Sequence, residues 1–177
     1  MLFFEIKNVF GANAQITANA ANDAFGIDQE STERVASTTF GSGAHISVTG
    51  GNDAIGINQR STDNRFALGE NSVVRVVAGN NGTGLRQRPR AIPNVNKAVI
   101  QANSRINVVA GGIAVGISSS TTTTNPSFLT LEHGVNVSAS GNTAFGVSAT
   151  ASNLKLLNSG RVSATSTNAA PMSYGFV

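Results

Sequence analysis

The stretch GGNDAIGI (residues 50–57) repeats, almost letter for letter, the stretch AANDAFGI (residues 20–27). Its closing pair, a glycine followed by an apolar residue, returns about every 30 residues along the chain. The pairs are Gly26-Ile27, Gly56-Ile57, Gly84-Leu85, Gly116-Ile117, Gly146-Val147 and Gly175-Phe176. Self-similarity at a fixed period is typical of repeat architectures, so this repeat, rather than any single motif, decides the fold.

Each repeat contains two further apolar segments, and all of them are short. In HISVTG (residues 45–50), Ile46 and Val48 alternate with polar residues, and this period of two predicts a β-strand. The equivalent pairs are Ile16/Ala18, Val74/Val76, Ile106/Val108, Val137/Ala139 and Val162/Ala164. The other segment reads, in chain order, LFFEI, STTFG, RFALG, KAVIQ, SFLTL and LKLLN.

Strands this short cannot bury an apolar face alone, but stacking one repeat on the next does so. The sequence therefore predicts an all-β fold, a three-sided parallel β-solenoid (β-helix) of about six coils of ~30 residues. We expect a single domain over residues 1–177. The composition agrees, because the chain has 19 glycines and only 12% charged residues, and because strong helix formers are scarce.

Charge and targeting signals exclude several classes of protein. The net charge of +3 is too small to indicate nucleic acid as a partner. The absence of cysteine excludes a disulfide framework. The N-terminal stretch lacks the pattern of a signal peptide, and no apolar run reaches the ~18 residues of a membrane-spanning helix. We expect neither a nucleic-acid partner nor membrane insertion.

Two columns of amide side chains are predicted to stack from coil to coil. Asparagine recurs at one corner of the repeat, where it suits a tight turn, and glutamine recurs two residues after the glycine–apolar pair. The expected ladder residues are Asn22, Asn52, Asn80, Asn142, Gln29, Gln59 and Gln87. On this hypothesis Asn52→Ala destabilises the fold, whereas Asn64→Ala, which lies outside the column, does not.

Alternation around the glycine predicts which side chains face the core. Counting by two from the apolar residue of the pair places Phe25, Ile55, Val115 and Phe145 inside, so that Phe145→Asp is expected to unfold the C-terminal coils. The small residues between them are then expected to form a smooth outer docking face. That face comprises Ala24, Gly26, Ala54, Gly56, Ala114, Gly116, Ala144 and Gly146.

Two stretches interrupt the rhythm and are predicted to be loop insertions from one corner, residues 86–97 and 118–126. Insertions in repeat proteins collect on one face, which is often a binding face. The first stretch supplies the candidate surface-binding residues Arg86, Arg88, Arg90 and Lys97. Their positive charge predicts an acidic glycan or a host-cell surface as the partner.

No pattern of catalytic, metal-binding or cofactor-binding residues is present. His45 and His133 occupy different registers, so no metal site or cofactor is predicted. Asp23 and Asp53 share one turn position in adjacent coils, about 5 Å apart, but the next equivalent residue is an asparagine. Glu30 beside Arg60 predicts a surface ion pair between coils. The chain is therefore expected not to be an enzyme.

The phrases ISVTGGNDAIGI and VNVSASGNTAFGV resemble the degenerate repeats of right-handed β-helical passenger domains. These belong to secreted bacterial surface proteins, the autotransporters and the filamentous-haemagglutinin-like adhesins. The resemblance implies a right-handed helix, export to the cell surface, and structural or adhesive work. Polysaccharide lyases and hydrolases are the alternative, because they also use β-helices. Three or more carboxylates in an outward groove over adjacent coils would favour such an enzyme.

The two ends of the sequence offer apolar strands without a polar cap. The chain starts with an apolar segment and ends with MSYGFV (residues 172–177), which carries no charge. An unpaired strand edge is a template for pairing, and solenoids cover it with capping units. We expect the domain to be a segment of a longer solenoid, whose ends meet further solenoid sequence or another copy.

Overall fold

A computed structural model of the chain describes residues 5–31, 35–90, 95–121, 127–150, 154–167 and 172–176. These ranges contain 18 β-strands, which form three sheets. Sheet 1 contains β1 (Glu5–Phe10), β4 (Val35–Phe40), β7 (Asp63–Leu68), β10 (Val95–Ile100), β13 (Ser127–Leu131) and β16 (Leu154–Asn158). Sheet 2 contains β2 (Gln15–Ala20), β5 (His45–Gly50), β8 (Val73–Ala78), β11 (Arg105–Ala110), β14 (Asn136–Gly141) and β17 (Arg161–Ser166). Sheet 3 contains β3 (Ala24–Glu30), β6 (Ala54–Ser61), β9 (Gly82–Pro89), β12 (Ile113–Ser120), β15 (Thr143–Thr150) and β18 (Met172–Phe176).

Every strand pairs in parallel with the equivalent strand one turn away. Glu5 lies beside Val35, for example, and Ile46 lies beside Val74. Each sheet has six strands, and the chain winds through about five turns of ~30 residues. The prediction of an all-β, three-sided parallel β-solenoid is confirmed.

The core consists of columns of apolar side chains, which run along the inside of the solenoid from turn to turn. The inward residues of sheet 2 are those that alternation predicts, and four of its strands bury them completely or nearly so. Fully buried representatives of the three sheets are Phe40, Leu68, Ile100 and Leu131, then Ile46, Val74 and Ile106, then Ile57, Leu85 and Ile117. Burial of one such side chain contributes roughly 1.5–3 kcal/mol, so stacked turns stabilise each other.

The corner between sheets 1 and 2 has the same backbone shape in five turns. One residue of each four-residue corner adopts a left-handed conformation, with φ between 56° and 73°. These residues are Asn13, Gly43, Asn71, Asn103 and Gly134. Only asparagine and glycine enter that region at little cost, which explains why these two residue types recur there.

The strands of sheet 3 bend at the recurring glycine of the repeat, and this bend reverses the side-chain alternation. Both Gly26 and Ile27 face the core: a Cβ atom on Gly26 would lie 2.8 Å from Cγ2 of Val48, and Ile27 is buried. The ladder pairs Phe25 with Ile55 and then passes directly to Ile27. Two successive inward residues mean that the residue before the glycine points outward.

The predicted outward orientation of the small residues is therefore wrong. The alanines are buried and the glycines pack against core side chains, so these residues form no docking face. The residues concerned are Ala24, Gly26, Ala54, Gly56, Ala114, Gly116, Ala144 and Gly146. Phe25 is 42% exposed, and Phe145 stacks on Tyr174 on the outer face with ring centroids 5.7 Å apart. The inward residue of that turn is Val147.

The predicted loop insertions are shorter than the sequence suggested. Strand β9 continues through Pro89 and β10 begins at Val95, so both ends of the stretch 86–97 belong to sheets. Likewise residues 118–120 belong to β12, and residues 122–126 lie outside the described residues. The segment LFFEI was also misplaced, because the residue that pairs with Phe40 is Phe10.

We expect Gly56→Ala to lower the free energy of unfolding by about 1–3 kcal/mol, as overpacking of a core does. The added Cβ would lie 2.6 Å from the carbonyl oxygen of Gly84 and 2.8 Å from Cγ1 of Val74. Gly11→Ala is the matched control, because a Cβ at Gly11 has no heavy atom within 4 Å. Urea denaturation measures both variants, and equal stabilities would contradict the inward placement of the glycine column.

Candidate functional site

Beyond the glycine bend, the outer face of sheet 3 carries two columns of polar side chains. Asp28, Asn58 and Arg86 follow one another in register in the first column. Glu30, Arg60 and Arg88 do the same in the second column. They border an open groove of about 430 Å³, here called the arginine groove. Its lining residues are Asp28, Glu30, Asn58, Arg60, Arg86, Arg88, Pro89 and Ser120.

Hydrogen bonds join the three residues of the first column. The amide nitrogen of Asn58 donates to Oδ1 of Asp28 over 2.6 Å, and Nε of Arg86 donates to Oδ1 of Asn58 over 2.8 Å. The neutral amide thus separates the carboxylate from the guanidinium. Partial burial lowers the pKa of Arg86, and the positive charge of Arg88 lowers it further. The Arg86 side chain is therefore held in place by a neutral partner while another cation lies close by.

The second column contains a carboxylate that two arginines share. Nη1 of Arg60 lies 3.2 Å from Oε1 of Glu30, as the sequence predicts, and Arg90 bonds the same oxygen. Because these side chains are about half exposed, the ion pairs contribute little to stability. Arg88, which lies in register with Arg60, is exposed, and its guanidinium has no hydrogen-bond or ion-pair partner among the described residues.

The four predicted binding residues do not form one patch. Arg86 and Arg88 line the arginine groove, and Arg90 reaches it through Glu30. Lys97 instead lies on β10, in sheet 1, beside Arg65. The corner between β9 and β10 separates the two faces, so the basic stretch of sequence is divided between two sheets.

Lys97 belongs to a column of basic residues that the sequence analysis missed. The column runs along the outer face of sheet 1 and contains Lys7, Ser37, Arg65, Lys97, Phe128 and Lys155. Nζ of Lys155 lies 5.7 Å from the ring centre of Phe128. Arg65 is bonded to Asp63 over 2.7 Å. The signal was one basic residue in each of several repeats, which only the register brings together.

The glutamine ladder is present in the interior. Nε2 of Gln59 donates to Oε1 of Gln29 over 3.1 Å, and Nε2 of Gln87 donates to Oε1 of Gln59 over 2.9 Å. All three side chains are buried. An amide has a donor and an acceptor at opposite sides, so Gln59, in the middle of the ladder, bonds Gln29 in one neighbouring turn and Gln87 in the other.

The interior also contains a second ladder of side chains, which the sequence analysis did not predict. Nδ2 of Asn64 donates to Oδ1 of Asn96 over 2.9 Å, and Nδ2 of Asn96 donates to Oγ of Ser119 over 3.0 Å. Asn64 is completely buried. The expectation that Asn64 lies outside every stabilising ladder, and that Asn64→Ala is therefore neutral, is wrong.

The predicted asparagine ladder is not a side-chain ladder. Asn22, Asn52, Asn80 and Asn142 are exposed, and backbone bonds join their corners: the amide of Asn52 donates to the carbonyl of Asn22 over 3.0 Å. The side-chain column lies one residue later in the repeat. Oδ1 of Asp23 accepts from the amide of Asp53 over 3.3 Å, and Oδ1 of Asp53 accepts from Nδ2 of Asn81 over 3.0 Å.

The column of Asp23, Asp53 and Asn81 changes the interpretation of the predicted aspartate pair. Asp23 and Asp53 each bind the donors of the following turn, so these carboxylates stabilise the corner. In the described ranges, no group of three or more histidine, cysteine, aspartate or glutamate residues is placed to hold a metal ion. Those ranges also contain no helix with the length and hydrophobicity that a membrane crossing requires.

Comparisons with protein families, with curated proteins and with solved structures found no match to this chain.

We expect Asn64→Ala to lower the free energy of unfolding by about 2–3 kcal/mol, because Oδ1 of Asn96 then loses its hydrogen-bond donor inside the core. Asn52→Ala, at an exposed corner, is expected to change it by about 0.5 kcal/mol or less. Thermal and urea unfolding of the two variants measure this order. The reverse order would contradict the assignment of the buried ladder to Asn64 and Asn96.

Proposed function

We propose that this chain is a non-catalytic structural segment of a β-solenoid rod, with an adhesive role in a secreted bacterial surface protein. The proposal starts from the solenoid fold. The resemblance of the repeats to passenger-domain and adhesin repeats supports the remainder. A rod that presents long, regular outer faces is suited to scaffolding and surface contact.

The observation that carries the structural role is that, among the described residues, the two outermost turns bury their core residues less than the middle turns do. Ile16 in β2 and Val162 in β17 point inward but are only partly buried, whereas the equivalent residues in the turns between them are fully buried. In the last described strands, Leu156, which follows the buried Leu129 in register, is 38% exposed, and Phe176, which follows the buried Val147, is 44% exposed. Partly exposed apolar columns of this kind are suited to contact with a further solenoid turn or with another copy of the chain.

The enzyme alternative is less well supported by the same faces. The arginine groove contains two carboxylates, Asp28 and Glu30, which is fewer than the three that would favour a polysaccharide-cleaving site. Both already accept hydrogen bonds from neighbouring side chains. A non-catalytic role accordingly remains the proposal.

We expect the isolated chain to self-associate as its concentration rises, because another copy can cover an open terminal turn. Light scattering combined with size-exclusion chromatography measures the mass across concentrations. Ala164→Lys, which points a charge into the open core column of β17, is expected to weaken association. Ser163→Lys, on the outer face of the same strand, is the matched control.

A mass that stays monomeric at all concentrations would contradict assembly through the ends. Equal association of the two lysine variants would show that self-association uses another surface. Circular dichroism of both variants verifies that the interior turns stay folded.

A further inference from the structure

We propose that the arginine groove binds the acidic group of a polysaccharide, a carboxylate or a sulfate, through Arg86 and Arg88. The groove lies on the outer face of sheet 3, not at the open ends of the rod. The site is thus independent of the structural role proposed above.

Positive charge exceeds negative charge in the described lining of this groove, which contains three arginines and two carboxylates. Glu30 is occupied by Arg60 and Arg90, and Asp28 accepts from the neutral amide of Asn58. Neither carboxylate forms an ion pair with Arg86 or Arg88 among the described residues. The next residues in their columns are Ser118 and Ser120. An external anion is the missing counter-charge.

The two arginines are placed to grip one anionic group. They point outward from one strand with a single residue between them, so their Cα atoms are about 6.6 Å apart. Arg86 uses Nε on Asn58, which fixes the guanidinium and leaves its terminal nitrogens as donors. Arg88 keeps all its donors. The planar fork of a guanidinium matches a carboxylate or sulfate with paired, charge-assisted hydrogen bonds.

Partial burial strengthens the case for a bound anion. Burial and the charge of Arg88 both lower the pKa of Arg86, which means that this position penalises a positive charge that has no anion beside it. An anion between the two guanidinium groups would relieve that repulsion. Arg60 lies in register with Arg88 and adds a further positive charge, which Glu30 offsets.

The remaining groups in the groove fit a sugar better than a nucleic acid. The carboxylate of Asp28 and the hydroxyl of Ser120 can bond sugar hydroxyls beside the anchored acid. Aromatic side chains, on which bases stack, are absent from the described lining.

Isothermal titration calorimetry of the full chain tests the site with two acidic probes and their neutral parents. Oligogalacturonate is compared with its fully methyl-esterified form, and sulfated dextran oligosaccharide is compared with unsulfated dextran. We expect binding of at least one acidic probe, loss of binding with its neutral parent, and weaker binding as salt rises. Binding of oligogalacturonate would identify the ligand group as a carboxylate, and binding of sulfated dextran would identify it as a sulfate.

Arg88→Gln is expected to weaken binding of the acidic probe about tenfold or more. This residue is exposed and unpartnered, so its replacement should leave the melting temperature unchanged. Arg86→Gln should weaken binding similarly. Arg75→Gln, on the outer face of sheet 2, removes an equal charge outside the groove and is the matched control.

Three results would overturn the proposal. The first is equal binding of acidic and neutral probes or binding of neither. The second is equal weakening by Arg88→Gln and Arg75→Gln, which indicates a general effect of net charge. The third is tighter binding of a DNA duplex than of either acidic probe, which would assign the groove to nucleic acid.

Discussion

In-register stacking is the constraint on which the rest of the molecule depends. Each side chain lies beside its equivalent in the turns before and after it, so a polar residue is tolerated inside where the neighbouring turns supply its hydrogen-bond partners. Gln59 shows the rule, because Gln29 and Gln87 accept and donate on its two sides. A lone buried amide would be costly, whereas three in register form a polarised chain of hydrogen bonds.

The same constraint governs charge on the surface. Identical charges in one column would be about 4.8 Å apart and repel each other. The first column of the arginine groove avoids this by ordering aspartate, asparagine and arginine. The second column does not avoid it, because Arg60 and Arg88 are neighbours and only Arg60 is paired with Glu30. Arginine therefore exceeds acid in the second column, and positive charge collects there in a chain of low net charge.

The sequence predicted this structure correctly wherever inward and outward side chains alternate without a break. The period, the three sheets and the core residues of sheet 2 followed from that alternation. The orientation of Phe25 did not, because Gly26 and Ile27 both point inward and counting by two across that bend inverts every residue before it. A glycine at one fixed strand position was the available signal. Asn64 could not be recognised as buried until the register placed it beside Asn96. Lys97 required knowledge of where one sheet ends and the next begins.

The uniform spacing of the turns also has a kinetic consequence. Every pairing joins residues about 30 positions apart, so the entropy lost in closing a turn is nearly the same each time. Once two turns have paired, their edge offers a ready template to the next stretch of chain, and winding can propagate by nearest-neighbour steps. The fully buried middle turns are the natural nucleus, and the partly covered outer turns are the last to close and the first to fray.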